Sequence, residues 1–227
     1  MNNIVIGIEG LVGSGKTSIC KELLKYIPNS IILHGGNLYR GIVYALMSSK
    51  NINIKELKDN VKNVNIKELM NKLGVEFKIE DRETVIYVNN KKINDEILQS
   101  KENSIAVSIA GGNADNTAFY DFARTLIDMY KQNFNVIVSG RDLINIYPDL
   151  DYHLFIEASL DERIKRKLKQ YGNNANYEEI KKNIVSRDEL QEKAGYYKTY
   201  DKTIKIDVTK CSTVEESAQK VLKELHI

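Results

Sequence analysis

A chain of 227 residues with 42% hydrophobic side chains can bury a substantial core in one domain carrying one insertion. Its 33 basic and 31 acidic residues nearly cancel to a formal charge of +2, which argues against nucleic-acid binding or a membrane surface and makes any positive site local. Cys20 and Cys211 have neither metal-ligand spacing nor the density of a disulfide scaffold, the N-terminus enters an apolar strand with no room for a signal peptide, and no apolar run approaches the roughly 20 residues of a membrane span; a cytoplasmic protein is expected.

Ile4 to Gly10 is a nearly continuous apolar run ending in glycine, the pattern of a buried strand in a parallel sheet. Thr17 to Ile27 carries Ile19, Cys20, Leu23, Leu24 and Ile27 at helical spacing, and Pro28 stops it. A strand at Ser30 to Leu33 and a helix at Leu38 to Ser48 follow. Val75 to Asp81 and Thr84 to Asn89 then alternate with period two around Asp81-Arg82-Glu83, which reads as a small antiparallel unit with one wet face. Helices are expected at Lys101 to Ala110 and Asn116 to Lys131, and buried strands at Asn135 to Ser139 and Tyr152 to Ala158. Tyr171 to Asn176 is a polar break, and Tyr177 to Ala194 reads as a lightly anchored helical flap. A strand at Lys202 to Val208 and a helix at Thr213 to Leu225, capped by Ser212 or Thr213, close the chain. Strands alternating with helices imply right-handed crossovers and a parallel sheet with helices on both faces.

Gly10-Leu-Val-Gly-Ser-Gly-Lys-Thr17 satisfies G-x-x-x-x-G-K-[ST] at every fixed position, between a predicted strand and a predicted helix. Gly10, Gly13 and Gly15 open backbone conformations closed to other residues, so that successive N–H groups, including that of Ser14, converge on phosphate oxygens at a helix N-terminus. Lys16 reaches the β- and γ-phosphates, and the Thr17 hydroxyl can ligate Mg2+. Ser18 is a second hydroxyl near the metal or a helix cap. The motif names a nucleoside triphosphate and leaves the reaction open. The chain is short for a motor or transporter ATPase and has no N-K-x-D guanine-reading motif, which narrows the use to small-molecule kinases.

Transfer of a γ-phosphoryl group needs positive charge around its equatorial oxygens and a second cluster for the acceptor. Tyr39-Arg40 and Gly140-Arg141-Asp142 lie just beyond predicted strand ends, where open parallel sheets bind ligands. Asp161-Glu-Arg163 with Lys165, Arg166 and Lys167, and later Arg187-Asp188, read either as charged solvent-facing helices or as a closing lid whose Arg163, Arg166 or Arg187 reach the phosphates. His34, His153 and His226 show no metal or acid–base spacing and read as structural.

Taken in order, these residues resemble the cytidylate kinase family of nucleoside monophosphate kinases over most of the chain. The likeness rests on the phosphate loop, Tyr39-Arg40, the β-insert ahead of Ser108, Gly140-Arg141-Asp142 with Pro148-Asp149, Asp161-Glu162-Arg163 with Arg166, Arg187-Asp188, and a final strand closing on Asp207-Val-Thr209. The resemblance implies a three-layer α/β/α P-loop NTPase fold: a single kinase domain over 1–227, with a β-rich acceptor-binding region inserted at 50–112 and a helical lid at 170–200. It implies ATP with Mg2+ as donor, CMP or dCMP as acceptor, and direct in-line transfer. Lys16, Arg141, Arg163 and Arg187 would be catalytic. Gly10, Gly13, Ser14, Gly15, Lys16, Thr17, Ser18 and Arg166 would hold the nucleotide, Thr17 the metal, and Arg40, Ser108, Arg124 and Asp142 the acceptor. The departures fall on the acceptor side. His34-Gly35-Gly36 stands for Asp-Ser-Gly, Leu98 for an arginine, and Tyr120 with Arg124 for another arginine; Gln191 and Ala194 replace an aspartate and an arginine. Alternatives are a thymidylate, deoxynucleoside or other small-molecule kinase, and a nucleotide-binding protein without catalysis.

Overall fold

The computed structural model describes residues 3–50, 66–100, 102–107, 117–172 and 176–226. In chain order the elements are β1 (Val5–Gly10), α1 (Lys16–Leu23), β2 (Ser30–His34), α2 (Gly35–Lys50), α3 (Ile66–Leu73), β3 (Val75–Glu80), β4 (Glu83–Val88), β5 (Lys91–Lys92), α4 (Asp95–Leu98), α5 (102–107), α6 (Thr117–Lys131), β6 (Asn135–Ser139), α7 (Leu143–Ile146), β7 (Tyr152–Glu157), α8 (Leu160–Tyr171), α9 (Tyr177–Lys193), β8 (Thr203–Asp207) and α10 (Val214–Leu225). They divide into two units, one formed by the chain up to Ile32 and from Phe134 onward, the other by Leu33–Asn133.

In the first unit β1 pairs in parallel with β6 on one side, Val5 opposite Val136, and with β7 on the other, Ile6 opposite Tyr152. β8 extends the sheet in parallel beyond β7, His153 opposite Thr203. The alternation of β1 decides what each face carries. Ile6 and Ile8 join a buried cluster with Ile19, Cys20 and Leu23 of α1, Leu154 and Ile156 of β7, and Ala218, Val221 and Leu222 of α10. Gly7 turns to the other face, where its lack of a side chain admits Leu143 and Leu150. The result is a mixed α/β fold with a mostly parallel central sheet.

Local chemistry sets the ends. Regular helix in α1 stops at Leu23, short of Ile27, and a tightened turn follows in which the Lys25 N–H donates to the Glu22 carbonyl at 3.0 Å and that of Tyr26 to Leu23 at 3.1 Å. α10 begins with a reciprocal cap: Thr213 Oγ1 accepts from the Glu216 N–H at 3.1 Å, and Glu216 Oε2 accepts from the Ser212 N–H at 2.7 Å. The flap helix α9 is held more firmly than its charged sequence suggests, because Ile180 and Ile184 pack on Ile164 of α8.

The second unit is built on a hairpin. Asp81 and Arg82 both take left-handed φ, 48° and 66°, which gives β3 and β4 a two-residue turn and draws Glu83 into the strand. Ile86 and Val88 of β4 share a buried cluster with Ile42, Val43 and Leu46 of α2 and Phe119 of α6. α2 starts at Gly35, three residues earlier than its apolar periodicity indicates. Gly36 permits this: a side chain there would crowd the Arg40 guanidinium, with Cβ 3.0 Å from Nη1. Among the described residues no helix is long and apolar enough to cross a membrane.

Gly10 is the tightest backbone approach in the sheet. At φ 145°, a Cβ would sit 2.1 Å from the Ile156 carbonyl oxygen. That oxygen also accepts the Leu11 N–H at 3.1 Å, so it has no freedom to withdraw. Gly10→Ala is expected to destabilise the protein by about 3 kcal/mol, read from urea unfolding midpoints; wild-type stability would disprove the close approach.

Candidate active site

A run of N–H groups turned toward one point must direct carbonyls elsewhere, and buried carbonyls need donors. Gly13 and Gly15, with φ of 77° and 97°, make that turn possible, and Gly15 is the N-cap of α1. Cationic side chains meet the carbonyls. Lys16 Nζ donates to the Gly10 and Leu11 carbonyls, both at 2.8 Å. Arg163 Nη1 donates to Val12 O at 3.0 Å, and Arg166 Nη1 to Ser14 O at 3.0 Å. Arg166 Nη2 also donates to Val208 O at 2.8 Å, tying the loop to the turn after β8. The first-turn N–H groups of α1, which have no intrahelical acceptor, complete an anion-binding surface. Thr17 and Ser18 are exposed there. Neither acts as a cap, since α1 has no side-chain cap hydrogen bond. Ser14 is fully buried, and its Oγ has no partner among the described residues.

Electrostatics concentrate beside this loop. Burial, then the neighbouring Arg141 and Arg187, push the Lys16 ammonium well below the ordinary lysine pKa. Burial also lowers Arg141, and Arg187 adds to the effect. Among the described residues Arg141 forms no salt bridge: Nε donates to the Gln191 amide oxygen at 2.7 Å and Nη1 to Gly140 O at 2.9 Å, while Glu9 and Asp188 offset part of its charge. Arg187 is exposed on α9. Asp142 holds a left-handed φ of 57° ahead of α7 and accepts from Asn145 Nδ2 at 2.6 Å.

Of the other expected site residues, Arg40 lies in α2 with its carbonyl accepting from Asn103 Nδ2 at 3.2 Å. Arg124 lies in α6, paired with Asp121 at 2.9 Å. Both belong to the second unit. Ser108, and residues 173–175 of the polar break, lie outside the described residues.

Three residues matter more than their sequence context indicates. Glu9 is buried at the end of β1 and accepts the Leu143 N–H, which fixes the start of α7 beside Arg141 and Asp142. The Nε2 of buried His153 is 3.6 Å from Glu9, and its Nδ1 meets Thr203 Oγ1 at 2.8 Å. A lone carboxylate in an otherwise apolar strand was the available signal for Glu9. Asp188 accepts from the Val12 N–H at 3.1 Å, from Arg163 at 2.5 Å and from Tyr197 at 2.5 Å. Burial and the bond to Asp188 raise the Tyr197 hydroxyl far above its ordinary value, so it stays a donor. Its ring packs edge-on against Phe155, centroids 5.7 Å apart. Nothing in the chain marked either contact, because each joins positions remote in sequence.

A phosphate loop between a parallel strand and a helix, with cations gathered beside it, defines a nucleotide-binding protein of the P-loop class. The cytidylate kinase family profile matches residues 6–227. The cytidylate kinase of Clostridioides difficile (strain 630) is 30% identical over the full length of both chains. That of Aquifex aeolicus (strain VF5) is 30% identical over 97% of this chain and 95% of its own, and that of Fusobacterium nucleatum is 28% identical over 99% and 98%. The chain belongs to the cytidylate kinase family and is a nucleoside monophosphate kinase, a membership that implies ATP use.

The depressed Lys16 pKa has a sign that can be tested. A phosphate anion stabilises the ammonium and raises its pKa, so ATP affinity should fall as pH rises through the depressed value, below the range where an ordinary lysine titrates. In that window ATP binding should take up a proton. Calorimetry at alkaline pH in buffers of different ionisation enthalpy measures the uptake, and Lys16→Met should abolish it; no uptake by the wild type at any alkaline pH would contradict the depressed lysine.

Proposed function

We propose that the enzyme moves the γ-phosphoryl group of Mg-ATP to CMP or dCMP. The observation that carries the proposal is the gathering of Lys16, Arg141 and Arg187 beside an anion-binding loop, where burial and mutual repulsion outweigh the offset from Glu9 and Asp188. Phosphoryl transfer supplies that charge on the β- and γ-phosphates and on the acceptor. In this reading Gly10, Gly13, Ser14, Gly15, Lys16, Thr17 and Ser18 hold the triphosphate, with Arg166 behind the loop. Lys16, Arg141, Arg163 and Arg187 stabilise the transferring group, directly or by shaping the loop. The attacking oxygen belongs to the acceptor's own phosphate, which is already ionised at neutral pH. No strong general base is needed, so the protein's work is positioning and charge.

Thr17 presents a hard oxygen at the phosphate end of α1, suited to magnesium, which keeps several waters and takes few protein ligands. Bound there, the ion would neutralise developing charge on the phosphates. From the family resemblance we assign Arg40, Ser108, Arg124 and Asp142 to the acceptor, residues 50–112 to its binding region and 170–200 to a lid that excludes water. Cys20 and Cys211, both buried and joined in no disulfide, support a cytoplasmic setting.

One observation favours a second reading, transfer to a different monophosphate. Gln191 meets Arg141 with a neutral amide where the family usually carries a carboxylate. Changed polar contacts in a buried site can shift preference by large factors. ADP release measured across CMP, dCMP, UMP, dTMP and nucleosides separates the two, with CMP expected first; ATP binding without acceptor-dependent turnover would sink the kinase reading.

Two variants test the roles. Lys16→Ala should lower kcat by about 100-fold or more while leaving the fold intact, and retained activity would mean the loop is not the donor site. Arg141→Ala should raise the acceptor KM about tenfold with the ATP KM nearly constant.

A further inference from the structure

The inward stripe of α9 changes character along its length. Ile180 and Ile184 pack on Ile164, and at the same helical spacing Asp188 and Gln191 follow, reaching Val12 and Arg141. Asp188 closes a ring on one residue, Val12, holding the peptide groups on both sides of it. Its Oδ1 takes the Val12 N–H, its Oδ2 takes Arg163 Nη1, and the same Arg163 nitrogen donates to the Val12 carbonyl. Both polar groups of a phosphate-loop residue are thereby held by the flap helix and by α8. Tyr197 adds a third donor to the carboxylate from beyond the end of α9.

We propose that Asp188 is a positioning residue for the phosphate donor: through its own contacts with Val12 and Arg163, and independently of the apolar packing of the flap helix, it holds the loop in its gripping shape. It need touch no substrate. With the ring closed, Val12 cannot rotate its peptide, and the N–H groups that follow at Gly13 and Gly15 stay directed to one point. With the ring open, the loop samples other shapes, and donor binding must restore the productive one. This role predicts that donor affinity follows the polar half of the α9 stripe and is insensitive to its apolar half.

This role rests on the nucleotide-binding reading, and the experiment separates the two. Wild type, Asp188→Asn, Tyr197→Phe, Ile180→Ala and Lys16→Ala are titrated with ATP and with inorganic tripolyphosphate, which reports on the loop alone, and their melting temperatures are recorded. Asp188→Asn should weaken both ligands about tenfold, leave the acceptor KM within about twofold, and speed hydrogen exchange at the Val12 amide while the Ile8 amide in β1 is unchanged. Ile180→Ala should lower the melting temperature and keep tripolyphosphate affinity within about twofold of wild type. If Asp188→Asn does not fold, Tyr197→Phe, which leaves the buried ion pair in place, should still weaken tripolyphosphate several-fold. Unchanged affinities in Asp188→Asn, or in Tyr197→Phe where only that variant folds, overturn the role, as does equal weakening by Ile180→Ala. A wild-type chain that binds neither ligand overturns the nucleotide reading and this role with it.

Discussion

The structure depends on one constraint: a loop that turns its N–H groups to a common point leaves its carbonyls pointing into protein. Each orphaned carbonyl in an interior costs on the order of 1–3 kcal/mol. Here the cost is met by charged donors. Lys16 serves Gly10 and Leu11, Arg163 serves Val12, and Arg166 serves Ser14. Much of the surrounding fold supplies those donors. α8 exists at this place with Arg163 and Arg166 one turn apart, so that two successive arginines face the loop. Arg166 then secures the turn after β8 through Val208 and Cys211, and α9 is drawn in because Arg163, at 6% exposure, needs a carboxylate.

Satisfying the loop with cations has an electrostatic consequence. Lys16, Arg141 and Arg187 gather near a site whose dipoles already favour negative charge, and burial first, with mutual repulsion adding to it, lowers the Lys16 and Arg141 pKa values. Asp188 offsets part of it, but it is occupied with Val12, Arg163 and Tyr197. Glu9 offsets part as well, from the buried side, while holding the start of α7. The charge that remains is directed outward. A polyphosphate would relieve it.

Much of this was legible in the chain because it is local. The loop is a contiguous motif, so its flanking strand and helix, its glycines and Lys16 could all be read directly. The β3–β4 hairpin announced itself by period-two alternation, and even its turn differed only by whether Glu83 belongs to the strand. The partners of the loop were not legible. Arg163 and Arg166 could be read as solvated charges or as lid residues over the phosphates; their guanidinium groups instead lie on the loop's own carbonyls, a contact between residues some 150 positions apart. Asp188 was visible only as the companion of Arg187, because sequence adjacency says nothing about which N–H a carboxylate will meet. α9 looked lightly held for a similar reason: two isoleucines among many charges carry a weak periodic signal, yet they bury completely enough to seat the helix.

The departures from the family pattern acquire a physical sense from the same charge balance. A carboxylate in place of Gln191 would pair with Arg141 and cancel much of the field beside the loop; the amide accepts the Nε hydrogen bond and orients the guanidinium without neutralising it. Orientation is kept and charge is left over. The other departures remove charge from the acceptor side, since Leu98, Tyr120 and Ala194 stand where the resemblance expects arginines. The donor side is held by three cations from two helices: Lys16 of α1 meets the Gly10 and Leu11 carbonyls, and Arg163 and Arg166 of α8 meet those of Val12 and Ser14.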